Sequence, residues 1–192
     1  MRLNENAARS AARSAVRAST TPLARAALVV LGGSLLLAAS AWVRVPMWPV
    51  PMTLQTMVVL LIGLTYGSRL AGATVLAYLL EGAAGLPVFA GGQTMLSIGP
   101  TLGYLAGFLL AATVTGALAE RGWSRRPLAL VAVLLLGDAL IFAPGLVWLD
   151  VGYLDAWNRT FALGLLPFLP GEVAKLAMAA VLASFLPRPG RE

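Results

Sequence analysis

The sequence predicts an all-α integral membrane protein of six transmembrane helices with the N- and C-termini both cytoplasmic, and three observations predict it. Of the 192 residues, 59% are hydrophobic and only 11% charged, whereas a soluble domain carries roughly 45–50% apolar and about 25% charged residues. A soluble fold of this size has too little interior to hide so much apolar surface. The apolar residues gather into six segments, about 24–43, 54–67, 69–84, 101–119, 128–149 and 160–186. When those segments are threaded across a bilayer, almost every positive charge falls on one side. Lys and Arg in short loops near the membrane mark the cytoplasmic face. With the N-terminus inside, the inner segments hold Arg2, Arg9, Arg13, Arg17, Arg25, Arg69, Arg121, Arg125, Arg126, Arg188 and Arg191. The outer loops hold only Arg44 and Arg159, and Lys175 lies within the last span. An odd number of spans would force one basic cluster outside.

Three regions follow: a basic cytoplasmic segment at 1–22, a six-helix membrane domain at 23–187 and a short tail at 188–192. In the first, Arg9, Arg13 and Arg17 recur at every fourth position, so a helix would align them on one face suited to anionic lipid headgroups. A disordered basic tail fits the same residues, and an Arg- and Ser-rich, acid-poor start also resembles an organellar transit peptide. The net charge of +6 could suit nucleic acid, but its distribution follows a membrane topology and no nucleic-acid partner is expected. The sequence has no Cys and no His. Disulfides, thiolate metal sites, Ser-His triads and His-zinc motifs are thereby excluded, and no metal site is expected.

The first span carries a small-residue face of Ala27, Ser34, Ala38 and Ala41, within about 40° of one line at 100° per residue. The connection after it, 44–53, contains Pro46, Pro49 and Pro51, too many for a helix and stiff enough for a fixed cover. The second and third spans are short and separated only by Gly67, Ser68 and Arg69, which predicts a tight helical hairpin. Residues 85–101 are apolar yet Gly-rich and uncharged. Irregular backbone at membrane depth is tolerated where it is buried in protein or lines a cavity, so both outer connections read as walls or lids of a pocket open to the outside. A passive re-entrant or interfacial segment is the plainer alternative. Gly99, Gly103 and Gly107, continued by Ala111, Thr115 and Ala119, form a stripe along the fourth span where another backbone can approach closely; packing inside the subunit is the expected use. The sixth span is interrupted by Pro167, Pro170 and Gly171 and should break or kink between Phe168 and Gly171.

Ionisable residues inside spans are costly and usually face the interior or a cavity. Glu172 and Lys175, three apart after the break, share a helix face within pairing distance. The broken helix also offers free backbone N–H groups at the start of its second half. That combination suits a ligand with hydrogen-bonding groups, although an internal ion pair holding the helix in register would use the same residues. Asp138 lies mid-span in the fifth helix. Glu81 ends the third, where it can reach the interface. No G-x-x-x-x-G-K-[ST] phosphate loop occurs, so this chain does not itself hydrolyse ATP by that route. A membrane-embedded enzyme would have to use Glu172 and Asp138 as acid and base, and without His or Cys no enzymatic activity is expected.

Four motifs carry a resemblance: Val50-Pro51-Met52-Thr53-Leu54-Gln55-Thr56; Gly85-Leu86-Pro87-Val88-Phe89-Ala90-Gly91-Gly92; Gly99-Pro100-Thr101 with Gly103-Tyr104-Leu105 and Gly107-Phe108; and Pro167-Phe168-Leu169-Pro170-Gly171-Glu172 with Lys175. Their order and spacing closely resemble the BioY family, the biotin-specific S components of energy-coupling factor (ECF) transporters, from about residue 30 to residue 187. The resemblance implies the S-component fold in a bacterial cell membrane, with biotin captured near the outer face and no cofactor of its own. It also implies a transmembrane T component and ATP-hydrolysing subunits as partners. The family's acidic and basic binding positions match Glu172 and Lys175, with Glu172 standing where Asp is usual. Phe89, Tyr104 and Trp148 would pack on the ligand's rings, Gly91, Gly92 and Thr101 would let backbone close over it, and Asp138 completes the expected set. The Ala27, Ser34, Ala38 and Ala41 face would be the surface that docks on the T component. An S component for another vitamin and a stand-alone facilitator remain alternatives.

Overall fold

A computed structural model describes residues 22–97 and 99–186. The basic N-terminal segment, apart from Pro22, and the 188–192 tail lie outside the described residues. Six α-helices are present among the described residues: α1 (Pro22–Trp42), α2 (Gln55–Ala83), α3 (Leu102–Glu120), α4 (Pro127–Leu149), α5 (Trp157–Gly164) and α6 (Leu169–Phe185). Two short strands, β1 (Arg44–Val45) and β2 (Met52–Thr53), join α1 to α2.

The 29-residue α2 is two helical arms. Gly67 sits at φ 77° and ψ 170°, a conformation open almost only to glycine. The amide of Gln55 donates to the Tyr78 hydroxyl at 2.6 Å, although a straight helix would hold those residues roughly 34 Å apart. The chain therefore reverses at Gly67, as the Gly67-Ser68-Arg69 spacing predicts, with only Gly67 leaving helical geometry. The Glu120 carboxylate accepts the Ser68 backbone N–H at 2.7 Å, satisfying one of the donors that a new helix leaves open. Gly116 allows the close approach, since a Cβ there would stand 2.6 Å from the Ser68 nitrogen.

By length and composition, four described helical segments can cross a membrane and the bent pair α5 and α6 makes a fifth. Counting the arms of α2 separately gives six passes. The break in the last span comes earlier than expected. Helix α5 ends at Gly164, α6 begins at Leu169 with Pro170 inside its first turn, and the two are inclined at 50°. Proline is compatible with a first turn, where its missing N–H would have no partner, so Pro170 starts α6 and the break lies at 165–168.

Helices α2 and α3 occupy the centre, and α1 is much less buried than either. The glycine stripe of α3 packs on α4: a Cβ at Gly107 would meet the Ile141 backbone at 2.6 Å. The small face of α1 requires a correction. Ser34 and Ala41 are fully buried against the rest of the chain, and Ser34 donates to the Glu81 carboxylate at 2.7 Å. Ala38 is half-buried and only Ala27 is exposed, so Ser34 and Ala41 pack inside the chain and the four residues do not form one continuous outer surface. The same hydrogen bond accounts for Glu81.

Candidate functional site

The site is assembled where α6 begins. The Phe168 carbonyl accepts the Glu172 N–H at 2.9 Å, fixing the first turn. Glu172 and Lys175, one turn apart, then point inward with 2% and 6% exposure. Lys175 Nζ pairs with Glu172 Oε1 and also donates to the Thr56 hydroxyl at 2.9 Å and the Thr53 carbonyl at 2.8 Å. An ammonium has three N–H donors, and all three are engaged. Thr56 donates in turn to Glu172 Oε2 at 2.9 Å. The Thr53 carbonyl is held by the two-strand ladder, in which Arg44 pairs with Thr53 and Val45 with Met52. The proline-rich connection is therefore a short hairpin that presents a backbone acceptor to the lysine.

Burying an ion pair costs desolvation that is recovered only when geometry and further hydrogen bonds are good, and this pair has both. A carboxylate offers about four lone-pair sites. Lys175 and Thr56 occupy two and Asp138 stands within hydrogen-bonding reach of the same carboxylate, so Glu172 retains acceptor capacity for a further donor, and it faces a cavity with about 450 Å³ of empty space. Apart from Thr53, Gln55, Thr56, Thr101 and Glu172, the walls are apolar and rich in aromatic rings: Phe89, Tyr104, Phe108, Phe142 and Phe168.

These rings are fixed by their surroundings. Tyr104 stacks on Phe168 at 6.5 Å between centroids and 20° between planes, and its hydroxyl donates to the Gly164 carbonyl at the end of α5 at 2.9 Å. Phe142 meets both rings edge-on. Phe89 meets Tyr78 edge-on at 5.2 Å and lies over Gly82, where any Cβ would collide with its ring. Tyr78 also donates to the Val88 carbonyl at 3.2 Å, tying the 85–101 connection down.

A second, more polar space of about 560 Å³ lies outside the first. The two share Pro51, Ala90 and Thr101 as walls, and the outer one adds Arg44, Gly91 and Gln93. Gly91 has φ +78°, and a Cβ there would stand 2.6 Å from Arg44 Nη1, so a side chain at 91 would push the guanidinium away. Together the two spaces form an apolar chamber with a carboxylate at one wall and a cation at the entrance.

The structure divides the residues expected from sequence. Phe89, Thr101, Tyr104 and Glu172 line the inner chamber, Lys175 supports it through Glu172, and Gly91 lines the entrance. Gly92 lies at neither and stands near Trp42. Trp148 also lies outside both linings; its indole N–H donates to the Gly99 carbonyl at 3.1 Å, latching the 85–101 connection to α4. Asp138 does not reach the chamber surface. It is half-buried on α4 with Oδ1 unpartnered, and it stands beside the ion pair, within hydrogen-bonding reach of Glu172 and near enough to Lys175 to feel its charge. Sequence reasoning missed Arg44, treated only as an outer-loop charge, and Thr56, which closes the motif at 50–56 and sits one turn beyond Thr53. It also missed the rings of Phe142 and Phe168.

The model of the BioY family matches residues 9–191. The biotin transporter BioY of Thermotoga maritima is 38% identical over 82% of this chain and 88% of its own length. The biotin transporter BioY2 of Lactococcus lactis is 30% identical over 88% of this chain and 92% of its own. Among solved structures, the S-component for biotin from an ECF-type ABC transporter superposes with a TM-score of 0.75 and 23% identity, covering 86% of this chain and 93% of that one.

Proposed function

The chain belongs to the BioY family, and from that premise we propose that it is the biotin-binding subunit of an ATP-driven vitamin importer in a bacterial inner membrane. It takes biotin from the outer face and delivers it through a T component and ATPase subunits, which supply the hydrolysis that this chain has no phosphate loop to perform. It is a carrier of its ligand and catalyses no reaction on it.

The observation that carries the reading is the Glu172 carboxylate, neutralised by a fully engaged Lys175 and still open to donors in an aromatic chamber. Biotin presents two ureido N–H groups, a thioether ring and a carboxylate tail. The ureido N–H groups donate to the free lone pairs of Glu172, the fused rings lie among Phe89, Tyr104 and Phe168, and the tail runs past Thr101 toward Arg44. Lys175 acts on the ligand through Glu172, because its own donors are already used. Entry from the side of Arg44 agrees with the positive-inside orientation, in which the opposite end carries most of the arginines.

Equilibrium binding of biotin to the purified chain tests this. A hydrogen bond to a charged group contributes about 1.5–3 kcal/mol, so Glu172→Gln should weaken biotin binding by roughly ten- to a hundredfold. Wild-type affinity in that variant would remove Glu172 from the site, and absence of biotin binding to the unmodified chain would overturn the reading.

A further inference from the structure

We propose that the basic pocket between the C-terminus of α3 and the N-terminus of α4 binds the anionic headgroup of a membrane phospholipid. The pocket lies at the end of the bundle opposite the biotin chamber, with about 980 Å³ of empty space lined by Arg121, Gly122, Trp123, Arg125, Arg126 and Ala129. Gly122, at φ +84°, turns the chain so that arginines before and after it line one cavity. The Ser68–Glu120 hydrogen bond places this loop beside the Gly67 turn, and Arg69 follows that turn, so the positive-inside rule assigns the end to the cytoplasm.

Three features fit a lipid headgroup. Two of its arginines are open to a ligand: among the described residues Arg125 and Arg126 have no carboxylate partner. Glu120, the adjacent acid, is committed to the Ser68 amide. The pocket also stands at the depth of a headgroup, where two spanning helices emerge. Trp123 is 49% exposed and Leu128 88%, and an exposed tryptophan beside exposed leucine is the signature of the membrane interface. Finally, α4 begins with Pro127 at its first turn and no side-chain cap, so first-turn N–H groups near Ala129 remain available to a phosphate oxygen. Basic pockets at the cytoplasmic ends of spanning helices recognise anionic headgroups through this combination of charge and depth.

Native mass spectrometry of the full purified chain, incubated with phosphatidylglycerol or with phosphatidylcholine of the same acyl chains, tests the assignment. The unmodified chain should retain phosphatidylglycerol preferentially, and Arg125→Gln/Arg126→Gln should lower retention by more than about tenfold, at roughly fivefold per arginine. Arg69→Gln removes an exposed charge at the same end outside the pocket and should retain the lipid as the unmodified chain does. Undiminished biotin binding certifies that each variant is folded; if the double variant does not fold, Arg125→Gln alone gives the same reading with a smaller loss. Equal retention of the two lipids would overturn the proposal and leave the pocket to an acidic segment of a protein. So would an equal loss in Arg69→Gln, which would mean diffuse charge, or displacement of the lipid by millimolar inorganic phosphate, which would mean a site for free phosphate.

Discussion

Each end of the helical bundle closes on a glutamate that accepts a hydrogen bond from a distant part of the chain, and the two glutamates are put to different uses. At the inner end Glu120 takes the Ser68 backbone N–H and packs against Gly67. Its donor is backbone, no cation is paired with it by any described ion pair, and its result is a closed turn. At the outer end Glu172 takes a hydroxyl and an ammonium, both from side chains, while facing an aromatic chamber. The difference teaches that a carboxylate near the membrane is not by itself a binding site. What separates the two is the combination of a neutralising cation with spare acceptor capacity directed into a cavity.

The largest expected effect tests the cation's part in that contrast. Lys175→Met removes the only ammonium beside a carboxylate that is 2% exposed. Breaking a buried pair by deleting one partner costs about 3–5 kcal/mol, because the remaining charge is left uncompensated. Thermal unfolding of the purified chain should show that loss, together with loss of biotin binding. The double variant Glu172→Gln/Lys175→Met should recover much of the stability and none of the binding. A single variant that unfolds like the unmodified chain would mean that Glu172 is not held as a buried charge, and the contrast between the two ends would fail.

At the inner end the decisive residue is the glycine. Gly67→Ala should cost about 1–3 kcal/mol, the usual strain of a side chain in a backbone region open almost only to glycine. The Glu120 carboxylate would also have to move, since a Cβ at 67 would collide with it. Biotin affinity in the folded fraction should not change, because the turn is separated from the chamber by the length of the α2 arms. Weakened binding in this variant would show that the two ends are coupled.

The fold was largely legible in the sequence because its determinants are local. Runs of apolar residues, the Gly67-Ser68-Arg69 punctuation, the prolines of 46–51 and the arginine asymmetry each act within a few positions, and each marks its element. The site was legible where charge stands out in an apolar run, as with Glu172 and Lys175, and where a family motif supplied Phe89, Thr101 and Tyr104. What remained hidden depends on which side chains meet across the fold. Thr56 reads as an ordinary helix residue until α6 brings Glu172 to it 116 positions later. Arg44 becomes a lining residue only because Gly91 leaves room for its guanidinium. The face of α1 misled for the same reason: small residues at helical spacing mark a close approach but do not say whether the neighbour belongs to the same chain, and here Ser34 meets Glu81.

The smallest expected effect makes the sharpest comparison, because one isosteric change can be made at both ends. Glutamine keeps a carbonyl acceptor in nearly the place of a carboxylate oxygen and gives up the charge. In Glu120→Gln that acceptor can still receive the Ser68 N–H, so the turn should keep its cap and stability should shift by no more than about 0.5 kcal/mol; Glu120→Ala, which deletes the acceptor, should cost about 1 kcal/mol, as loss of a helix cap does. At position 172 the same change sets an amide N–H₂ against either Lys175 or Thr56 and leaves the ammonium without its counter-charge, so binding should fall even though the shape is kept. Thermal unfolding and biotin titration of the two Gln variants measured side by side separate a carboxylate used for its geometry from one used for its charge. If Glu120→Gln proved as damaging to binding as Glu172→Gln, the inner glutamate would be acting at a distance on the chamber, and capping the turn at Ser68 would be too small a role for it.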